Sequence, residues 1–270
     1  MEERLQKILS QRGIASRRQA EMMILTGRVQ LNGVTAQLGQ KANPQADVIT
    51  IDGQRLSLDA SSHFRYLLLH KPAGVVSTCR DPQARPTVLS LLPRQWQSRG
   101  LHPVGRLDAA STGALLLTND GALTFYLTHP RHHVAKTYRV WVKGNPSAAI
   151  LQQWRQGISL LGRQTRPADV RVLAHCPDSN RTCLEIILRE GRNRQIRRVA
   201  EQLGHPVVQL HRVAIGPIQL GNLPVGQWRS LTPPEVAALK CVSQRVGDRW
   251  AESETDQVLG ISTASEERRL

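Results

Sequence analysis

The 270-residue chain has few aromatic residues, few cysteines and no long hydrophobic run. No apolar stretch approaches the roughly 18 residues that a membrane span needs, and the first ten residues lack the apolar core of a signal peptide. We therefore expect a cytoplasmic protein that does not bind membranes. The four cysteines form no Cys-x-x-Cys pair, which argues against a zinc site and against a disulfide framework.

Acidic residues are scarce in the middle of the chain, and their scarcity there accounts for the net charge of +15. Residues 61–244 carry 24 Lys and Arg but nine Asp and Glu, whereas residues 1–60 carry eight and six, and residues 245–270 carry four and six. The expected partner is a polyanion, and arginine, the main cation here, suits forked contacts to phosphates and bases. A metal-dependent nuclease would need clustered carboxylates, which nine scattered acids do not provide.

Apolar patterns predict an α+β protein in which a small N-terminal domain of residues 1–60 precedes a larger one. In the small domain, apolar residues at helical spacing follow residue 4, Ser16 can cap a second helix, and Asn32-Gly33 is typical of a two-residue hairpin turn. The polar residues 59–62 have the composition of a linker, so we place the boundary at residue 60.

The larger domain, residues 61–244, is predicted to be a mixed, largely antiparallel sheet with helices packed on it. Helices are expected at residues 148–155 and 194–203, and Asn193 can cap the second of them. Strand-like runs lie at residues 66–69, 74–78, 114–118, 138–142, 183–188 and 207–215. Residues 245–270 lose this periodicity, and we expect them to form a disordered tail.

Asp108 is the strongest candidate for a reactive group. It ends the sequence GRLD at residues 105–108, at a turn between two strand-like runs and among many cations. A loop aspartate often only forms an Asx-turn or an ion pair. Nearby arginine charge nevertheless lowers a carboxyl pKa, so Asp108 could act as a nucleophile or base without first losing a proton.

Two shorter segments carry further candidates. Lys71, at the turn KPAG of residues 71–74, is predicted to be either a phosphate contact or a solvated hairpin charge. Tyr138 lies in a strand between cations, where an aromatic ring can stack on a nucleobase or belong to the core. Residues 129–133 contain three histidines, but no carboxylate lies at ligand spacing, so we predict no metal site there.

A basic helix is predicted near the end of the larger domain. Five arginines fall between residues 189 and 198, and three of them, Arg194, Arg197 and Arg198, share one face of the predicted helix. Their mutual repulsion is unfavourable unless an anion lies opposite. Phosphate, the Asp108 carboxylate, or both would supply that anion.

Residues 1–60 resemble the S4 RNA-binding domain. The resemblance is carried by RLQK at residues 4–7, GIASRRQA at 13–20 and GRVQLNG at 27–33. In that family the second helix lies against the RNA backbone. The resemblance therefore implies phosphate contacts for four arginines, namely Arg4, Arg17, Arg18 and Arg28.

From about residue 66 to residue 239 the chain resembles the pseudouridine synthases of the RsuA/RluB type. The matching motifs occur in the family's order and are KPAGVVST at 71–78, GRLD at 105–108 with GALLLTNDG at 113–121, KTY at 136–138 and EGRNRQIRR at 190–198. Ser111 stands where the family commonly has threonine, and Ala114 where leucine is usual. We expect neither change to alter the chemistry.

The resemblance implies that a uridine of ribosomal RNA is isomerised to pseudouridine, with the large subunit favoured, without a metal or another cofactor. Asp108 would attack C1′ or abstract the C2′ proton, Arg197 would pair with it, and Tyr138 would pack against the base. Arg106 would fill the space of the flipped nucleotide, while Lys71, Arg194 and Arg198 would contact RNA. We expect a monomer that acts on ribosomal RNA or a pre-ribosomal particle. The competing hypothesis is a non-catalytic RNA-binding or ribosome-assembly protein.

Overall fold

The computed structural model describes residues 2–12, 14–56, 64–97 and 100–241 of the chain. The predicted domain boundary at residue 60 and the predicted tail at residues 245–270 both lie outside these residues. Within the described part, no helix is long and apolar enough to cross a membrane.

The N-terminal part consists of two short helices and a small antiparallel sheet. The sheet has the strand order β3-β2-β5-β6, and β1 pairs separately with β4. Ser16 caps the second helix by accepting a hydrogen bond from the Gln19 amide, as predicted, and the Gln19 side chain completes a capping box. The elements are β1 (Glu3–Arg4), α1 (Leu5–Gln11), α2 (Arg17–Leu25), β2 (Val29–Leu31), β3 (Val34–Thr35), β4 (Lys41–Ala42), β5 (Ile49–Ile51) and β6 (Gln54–Arg55).

Asn32 and Gly33 join β2 to β3 with φ angles of 53° and 82°. Two consecutive positive φ angles define the hairpin turn whose twist matches that of paired strands. The predicted turn is therefore confirmed.

The rest of the described chain forms a nine-stranded sheet with helices on it. Its path is β13-β14-β10-β15-β9-β7-β17, with β8 beside β9 and β16 beside β15. All pairs are antiparallel except β9 with β15. The strands are β7 (Tyr66–Lys71), β8 (His102–Pro103), β9 (Thr112–Thr118), β10 (Lys136–Lys143), β13 (Asp169–Cys176), β14 (Arg181–Leu188), β15 (Val207–Ile215), β16 (Ile218–Gln219) and β17 (Trp228–Ser230), and a separate hairpin pairs β11 (Ser159–Leu160) with β12 (Arg163–Gln164). The helices are α3 (Arg94–Gln97), α4 (Gly121–Thr128), α5 (Ala148–Gln156) and α6 (Gln195–Gln202), with 3-10 turns at Pro130–His132 and Pro177–Ser179.

Burial explains why some strands are continuous apolar runs and others alternate between apolar and polar residues. The central strands β7 and β9 are buried almost throughout, because apolar clusters cover both of their faces, and they read as continuous apolar runs. In β10 buried and less buried residues alternate, and the buried set packs with residues of α5 and α6. This α+β architecture agrees with the fold class predicted from the sequence.

Three local predictions were wrong or incomplete. Residues 74–78 form an irregular loop with one isolated bridge at Val76, because hydrogen bonds tie this segment to the Asp108 loop. The α6 helix begins at Gln195 with Arg194 as its cap residue, so Asn193 does not cap it. Helix α4 was not predicted because its cap, Asp120, lies in an Asn-Asp-Gly sequence that is typical of a turn.

Gly113 allows the parallel strands β9 and β15 to approach closely at one point. It lies opposite Arg212 in the strand register and has a φ of +109°. A Cβ atom there would lie 2.2 Å from the Arg212 carbonyl oxygen and 2.6 Å from the Arg212 nitrogen. Both obstacles are backbone atoms, so they cannot yield by changing a rotamer.

We predict that Gly113→Ala lowers the free energy of unfolding by about 3 kcal/mol or more, because it combines a backbone clash with an unfavourable φ. The matched control is Gly121→Ala at the start of α4, where an added Cβ meets no atom within 4 Å. That change should be neutral or stabilising by up to about 1 kcal/mol. Equal stabilities of the two variants in urea denaturation would contradict the role of Gly113.

Candidate active site

Asp108 lies in the loop between β8 and β9, and the loop is anchored on both sides of it. Before it, the buried side chains of Val104 and Leu107 hold the chain to the core. After it, the Ser111 amide donates a hydrogen bond of 3.0 Å to the Asp108 carbonyl and closes a turn. The Asp108 side chain remains 32% exposed, so its carboxylate is accessible from the surface.

Lys71 supports this loop from the interior of the protein. It ends strand β7 and is fully buried, with 0% exposure. Its ammonium group donates to the carbonyl oxygens of Pro72 (2.9 Å), Ala109 (3.2 Å) and Ser111 (2.8 Å). These three bonds use all three donors of a lysine and anchor two residues of the turn that begins at Asp108, Ala109 and Ser111.

The predicted roles of Lys71 as a phosphate contact or a solvated hairpin charge are therefore wrong. A side chain with no exposure meets neither solvent nor RNA. The pKa of Lys71 is lowered to about 8, chiefly by burial; the charge of Asp108 opposes this shift, and the charge of Arg212 contributes to it. Lys71 is therefore a buried structural support for the loop that carries Asp108.

The irregular segment after Lys71 supplies a second set of supports. The Ser77 hydroxyl donates to the Leu107 carbonyl (2.9 Å) and accepts from the Leu107 amide (3.1 Å). The Gly74 amide donates to the Ala109 carbonyl at 2.9 Å. Residues 107–111 are therefore held by their backbone from several directions, which limits the positions available to the Asp108 carboxylate.

Helix α6 presents two arginines to Asp108. Arg194 Nη1 lies 3.6 Å and Arg197 Nε lies 3.9 Å from Asp108 Oδ2. Both distances exceed the roughly 2.7–2.9 Å of a charge-assisted hydrogen bond, so the interaction is a loose ion pair. The guanidinium groups therefore attract the carboxylate while leaving its oxygens accessible to another ligand.

Arg197 also contacts the Asp108 loop directly. Its Nη2 donates to the Ser111 hydroxyl (3.3 Å) and the Ala110 carbonyl (3.4 Å). Burial lowers the pKa of Arg197, with Arg194 acting in the same direction and Asp108 against it. Because Ser111 accepts this bond through its hydroxyl, the serine in place of the usual threonine keeps the contact.

A buried polar network orients the start of α6. The Gln195 side chain donates to Glu190 Oε1 (2.6 Å) and accepts from the Arg192 amide (3.2 Å). Glu190 also accepts a bond of 2.9 Å from the Arg166 amide. This network fixes the direction in which α6 presents its arginines.

These elements enclose a cleft of about 310 Å³ with Asp108 in its wall. Tyr138 and Lys136 reach it from β10, Arg212 from β15 and Arg106 from the Asp108 loop. Burial lowers the pKa of Lys136 to about 8, and the charge of Arg212 adds to the shift. The size is at the lower end of the range for small-ligand pockets, and the cationic wall suits an electron-rich ligand.

The cleft brings together five of the predicted site residues, namely Arg106, Asp108, Tyr138, Arg194 and Arg197. Arg198 does not line it and is only partly exposed, because the helical rotation carries it to one side. Lys136 and Arg212 were not predicted as site residues. An arginine inside the apolar run of β15 was the available signal, since buried arginines are rare without a partner.

The arginines predicted to contact RNA in the N-terminal part are exposed. Solvent reaches the side chains of Arg4, Arg17 and Arg18. Arg28 is exposed too, but its Nε donates to Asp52 Oδ1 at 2.9 Å, within a two-pronged ion pair. The phosphate contact of Arg28 stays a prediction, and a phosphate would have to compete with this carboxylate.

The histidine-rich residues 129–133 do not cluster with acidic or cysteine ligands, and no group of three or more such side chains occurs in the described ranges. His129 and His132 instead lie against Phe125, with ring centroids 4.8 Å and 5.4 Å apart. The segment forms a surface aromatic group at the end of α4.

Comparisons with known proteins assign the two parts of the chain to different families. A family model of RNA pseudouridylate synthases matches residues 65–202, and a model of the S4 domain matches residues 3–48. An uncharacterized RNA pseudouridine synthase of Aquifex aeolicus is 40% identical over 241 residues, which cover 88% of this chain and 94% of the relative. Ribosomal large subunit pseudouridine synthase B of Bacillus subtilis is 38% identical over 242 residues, or 89% of this chain and 97% of the relative.

A solved structure gives the same result at the level of the fold. A crystal structure of a pseudouridylate synthase superposes with a TM-score of 0.61 at 31% identity. The superposition covers 87% of this chain and 99% of the other.

We predict that Lys71→Met lowers the free energy of unfolding by about 3 kcal/mol, because it leaves buried carbonyl groups without a donor. The matched control is Lys143→Met at the exposed end of β10, where we expect a change within about 0.5 kcal/mol. Chemical denaturation of both variants measures the difference. Indistinguishable stabilities would show that the Lys71 ammonium does not hold the loop.

Proposed function

The chain belongs to the RNA pseudouridylate synthase family, and on this premise we propose that it isomerises a uridine of ribosomal RNA through the Asp108 carboxylate. The observation that carries the proposal is the position of Asp108. Its loop is fixed by Lys71, and two arginines of α6 lie within 4 Å of its carboxylate. Such an arrangement gives a well-positioned carboxylate, paired with cations, at the wall of an accessible cleft.

The family identifies the substrate as RNA, and the relatives support a ribosomal target. The Bacillus subtilis relative is named for the ribosomal large subunit, and the match covers 89% of this chain and 97% of the relative. A relative of the same name occurs in Pseudomonas aeruginosa at 37% identity. We therefore propose large-subunit RNA, free or in a pre-ribosomal particle, as the substrate of a monomeric enzyme.

The isomerisation requires the bond between C1′ and N1 of the uridine to break, the uracil to turn and a new bond to form between C1′ and C5. Asp108 would either attack C1′ or take the C2′ proton, and both routes need the carboxylate to be ionised. Arg194 and Arg197 lie within 4 Å of that carboxylate and attract its charge. Tyr138, which lines the cleft, would pack against the uracil and could assist the final loss of the C5 proton.

The target uridine must leave its stack before its sugar reaches the cleft. Arg106 is exposed at the wall of the cleft, two residues before Asp108. We propose that its side chain occupies the vacated position in the RNA. Arg194 lies beside Asp108 with half of its side chain exposed and would contact the flanking backbone.

The N-terminal part would anchor the RNA without taking part in the chemistry. Arg17 and Arg18 are exposed in the first turn of α2, where the helix dipole disfavours cations, and RNA phosphates would compensate them. A non-catalytic RNA-binding protein would share this surface. It would not need buried supports for a single carboxylate, which is why we favour the enzyme.

We predict that Asp108→Asn abolishes pseudouridine formation, because the amide can neither attack C1′ nor accept a proton. RNA affinity should persist, since it depends on many cations elsewhere. The measurement is a pseudouridine map of ribosomal RNA from cells that lack the gene and carry the wild type, Asp108→Asn or Asp178→Asn. Asp178 is exposed in a 3-10 turn outside the cleft, so its variant should restore the wild-type map.

Two outcomes would contradict the proposal. A site that is modified equally with wild-type protein and Asp108→Asn would remove Asp108 from the mechanism. Maps that do not differ between cells with and without the gene would instead remove ribosomal RNA as the substrate, and other RNAs in the same cells would then be mapped.

We also predict that Arg106→Ala slows turnover about tenfold or more on a folded stem-loop, because the flipped state loses the side chain that fills its place. On an unstructured oligonucleotide with the same uridine, the loss should be much smaller. Arg181→Ala, at the exposed opposite end of β14, is the matched control and should leave both rates unchanged. Equal losses of Arg106→Ala on the two RNAs would refute a role in base flipping.

A further inference from the structure

Arg212 is a buried cation whose bonding within the protein is incomplete. It is only 2% exposed, in the middle of β15. Its Nε donates to the Ala114 carbonyl at 2.7 Å, whereas its Nη2 is buried and has no acceptor among the described residues. A buried donor without an acceptor costs about 1–3 kcal/mol, and such groups are rare in folded proteins.

The surroundings of Arg212 make this cost larger. Arg212 lowers the pKa of both Lys71 and Lys136, so three cationic side chains share one buried region. Two carboxylates line the cleft, but Asp108 forms its ion pairs with Arg194 and Arg197, and Glu190 forms its ion pair with Arg192. The region therefore carries more positive charge than its own carboxylates balance, which favours a ligand that brings negative charge.

Arg212 is also held in place rather than free to reorient. Its backbone lies against Gly113 at the closest approach of β9 and β15, and the bond from Nε fixes the plane of the guanidinium. The guanidinium carbon lies 6.0 Å from the centre of the Tyr138 ring, and both side chains line the cleft. A base that packs on Tyr138 would bring its carbonyl oxygens to the neighbourhood of this guanidinium.

We propose that Arg212 binds a carbonyl oxygen of the target uracil and stabilises the uracil anion that forms when the glycosidic bond breaks. The inference rests on the function proposed above. When the bond between C1′ and N1 breaks, its electron pair stays on the uracil, and the charge spreads from N1 to the carbonyl oxygens. The uracil returns an electron pair when C5 bonds to C1′, as the Asp108–C1′ bond breaks or the abstracted proton returns to C2′. C5 then loses its proton and N1 takes one up. The role of Arg212 is therefore the same for attack at C1′ and for removal of the C2′ proton.

A uracil carbonyl is favoured over a phosphate as the ligand of Arg212 because of depth. Arg106 and Arg194 are exposed at the cleft and can serve the RNA backbone. Arg212 has almost no exposure, and the flipped base is the part of the nucleotide that enters the cleft farthest. Fixed donors directed at developing charge contribute most where water is excluded.

The test is a cycle of two protein variants and three substrates, measured under single-turnover conditions. Wild type, Arg212→Gln and Arg212→Lys are each given the same RNA with uridine, 2-thiouridine or 4-thiouridine at the target position. We expect Arg212→Gln to be about 100-fold slower than wild type on uridine, as for loss of one donor to a developing oxyanion, with RNA affinity unchanged. With one of the two thio substrates, 2-thiouridine or 4-thiouridine, the ratio of the wild-type rate to the Arg212→Gln rate should shrink to a few-fold. Sulfur is a poor hydrogen-bond acceptor, so on that substrate the wild type has already lost the contact.

A ratio that stays the same for all three substrates would overturn the proposal, because it would assign Arg212 a role in supporting Asp108 or the fold. Should Arg212→Gln fail to fold by circular dichroism, Arg212→Lys gives the same comparison with the charge retained. Arg181→Gln is the control and should show wild-type rates on every substrate. If the wild type itself forms no pseudouridine, the proposed function fails. If wild type and Arg212→Gln are equally active, only the present inference fails.

Discussion

The ammonium group of Lys71, buried beneath the Asp108 loop, is the contact on which the geometry of the cleft depends. It joins the end of a central strand to two carbonyl groups of the loop, at residues about 40 positions further along the chain. A neutral amine would offer two N–H donors for the three carbonyl groups, that of Pro72 included, which the ammonium group satisfies. The protein therefore accepts the cost of burying a charge in order to fix a backbone turn, and the position of the Asp108 carboxylate follows from that turn.

The charges around the cleft are arranged in two zones with different tasks. Arg194 and Arg197 approach Asp108 loosely, at 3.6 Å and 3.9 Å, so they attract its carboxylate without occupying its oxygens. Arg212 and Lys136 lie deeper, and no carboxylate of the described residues forms an ion pair with either of them. When the glycosidic bond of the bound uridine breaks, the uracil would bring negative charge to this second zone. The excess of cations in residues 61–244 is thus used both for attracting RNA and for chemistry.

Much of the fold could be predicted from the sequence, because the buried faces of helices and strands produce recognisable apolar patterns. The strand at Val207–Ile215 and the helix at Ala148–Gln156 follow those patterns, and the Ser16 cap follows from local hydrogen bonding. The edge strand Asp169–Cys176 was missed because most of its residues are exposed and show no alternation. The meeting of Asp108 with Arg194 and Arg197 was anticipated from motifs and charge repulsion. The burial of Lys71 and Arg212 was not, since it depends on contacts between residues far apart in the chain.

The most direct test of the role of Asp108 is a structure of this protein bound to an RNA that carries the target uridine. We expect the uridine to be flipped into the cleft, with its C1′ or C2′ atom about 3–3.5 Å from an Asp108 carboxylate oxygen. We also expect Lys71 to hold the loop in the complex as it does in the free protein. A uridine that stays stacked in the RNA, or a sugar that lies remote from Asp108, would contradict this role.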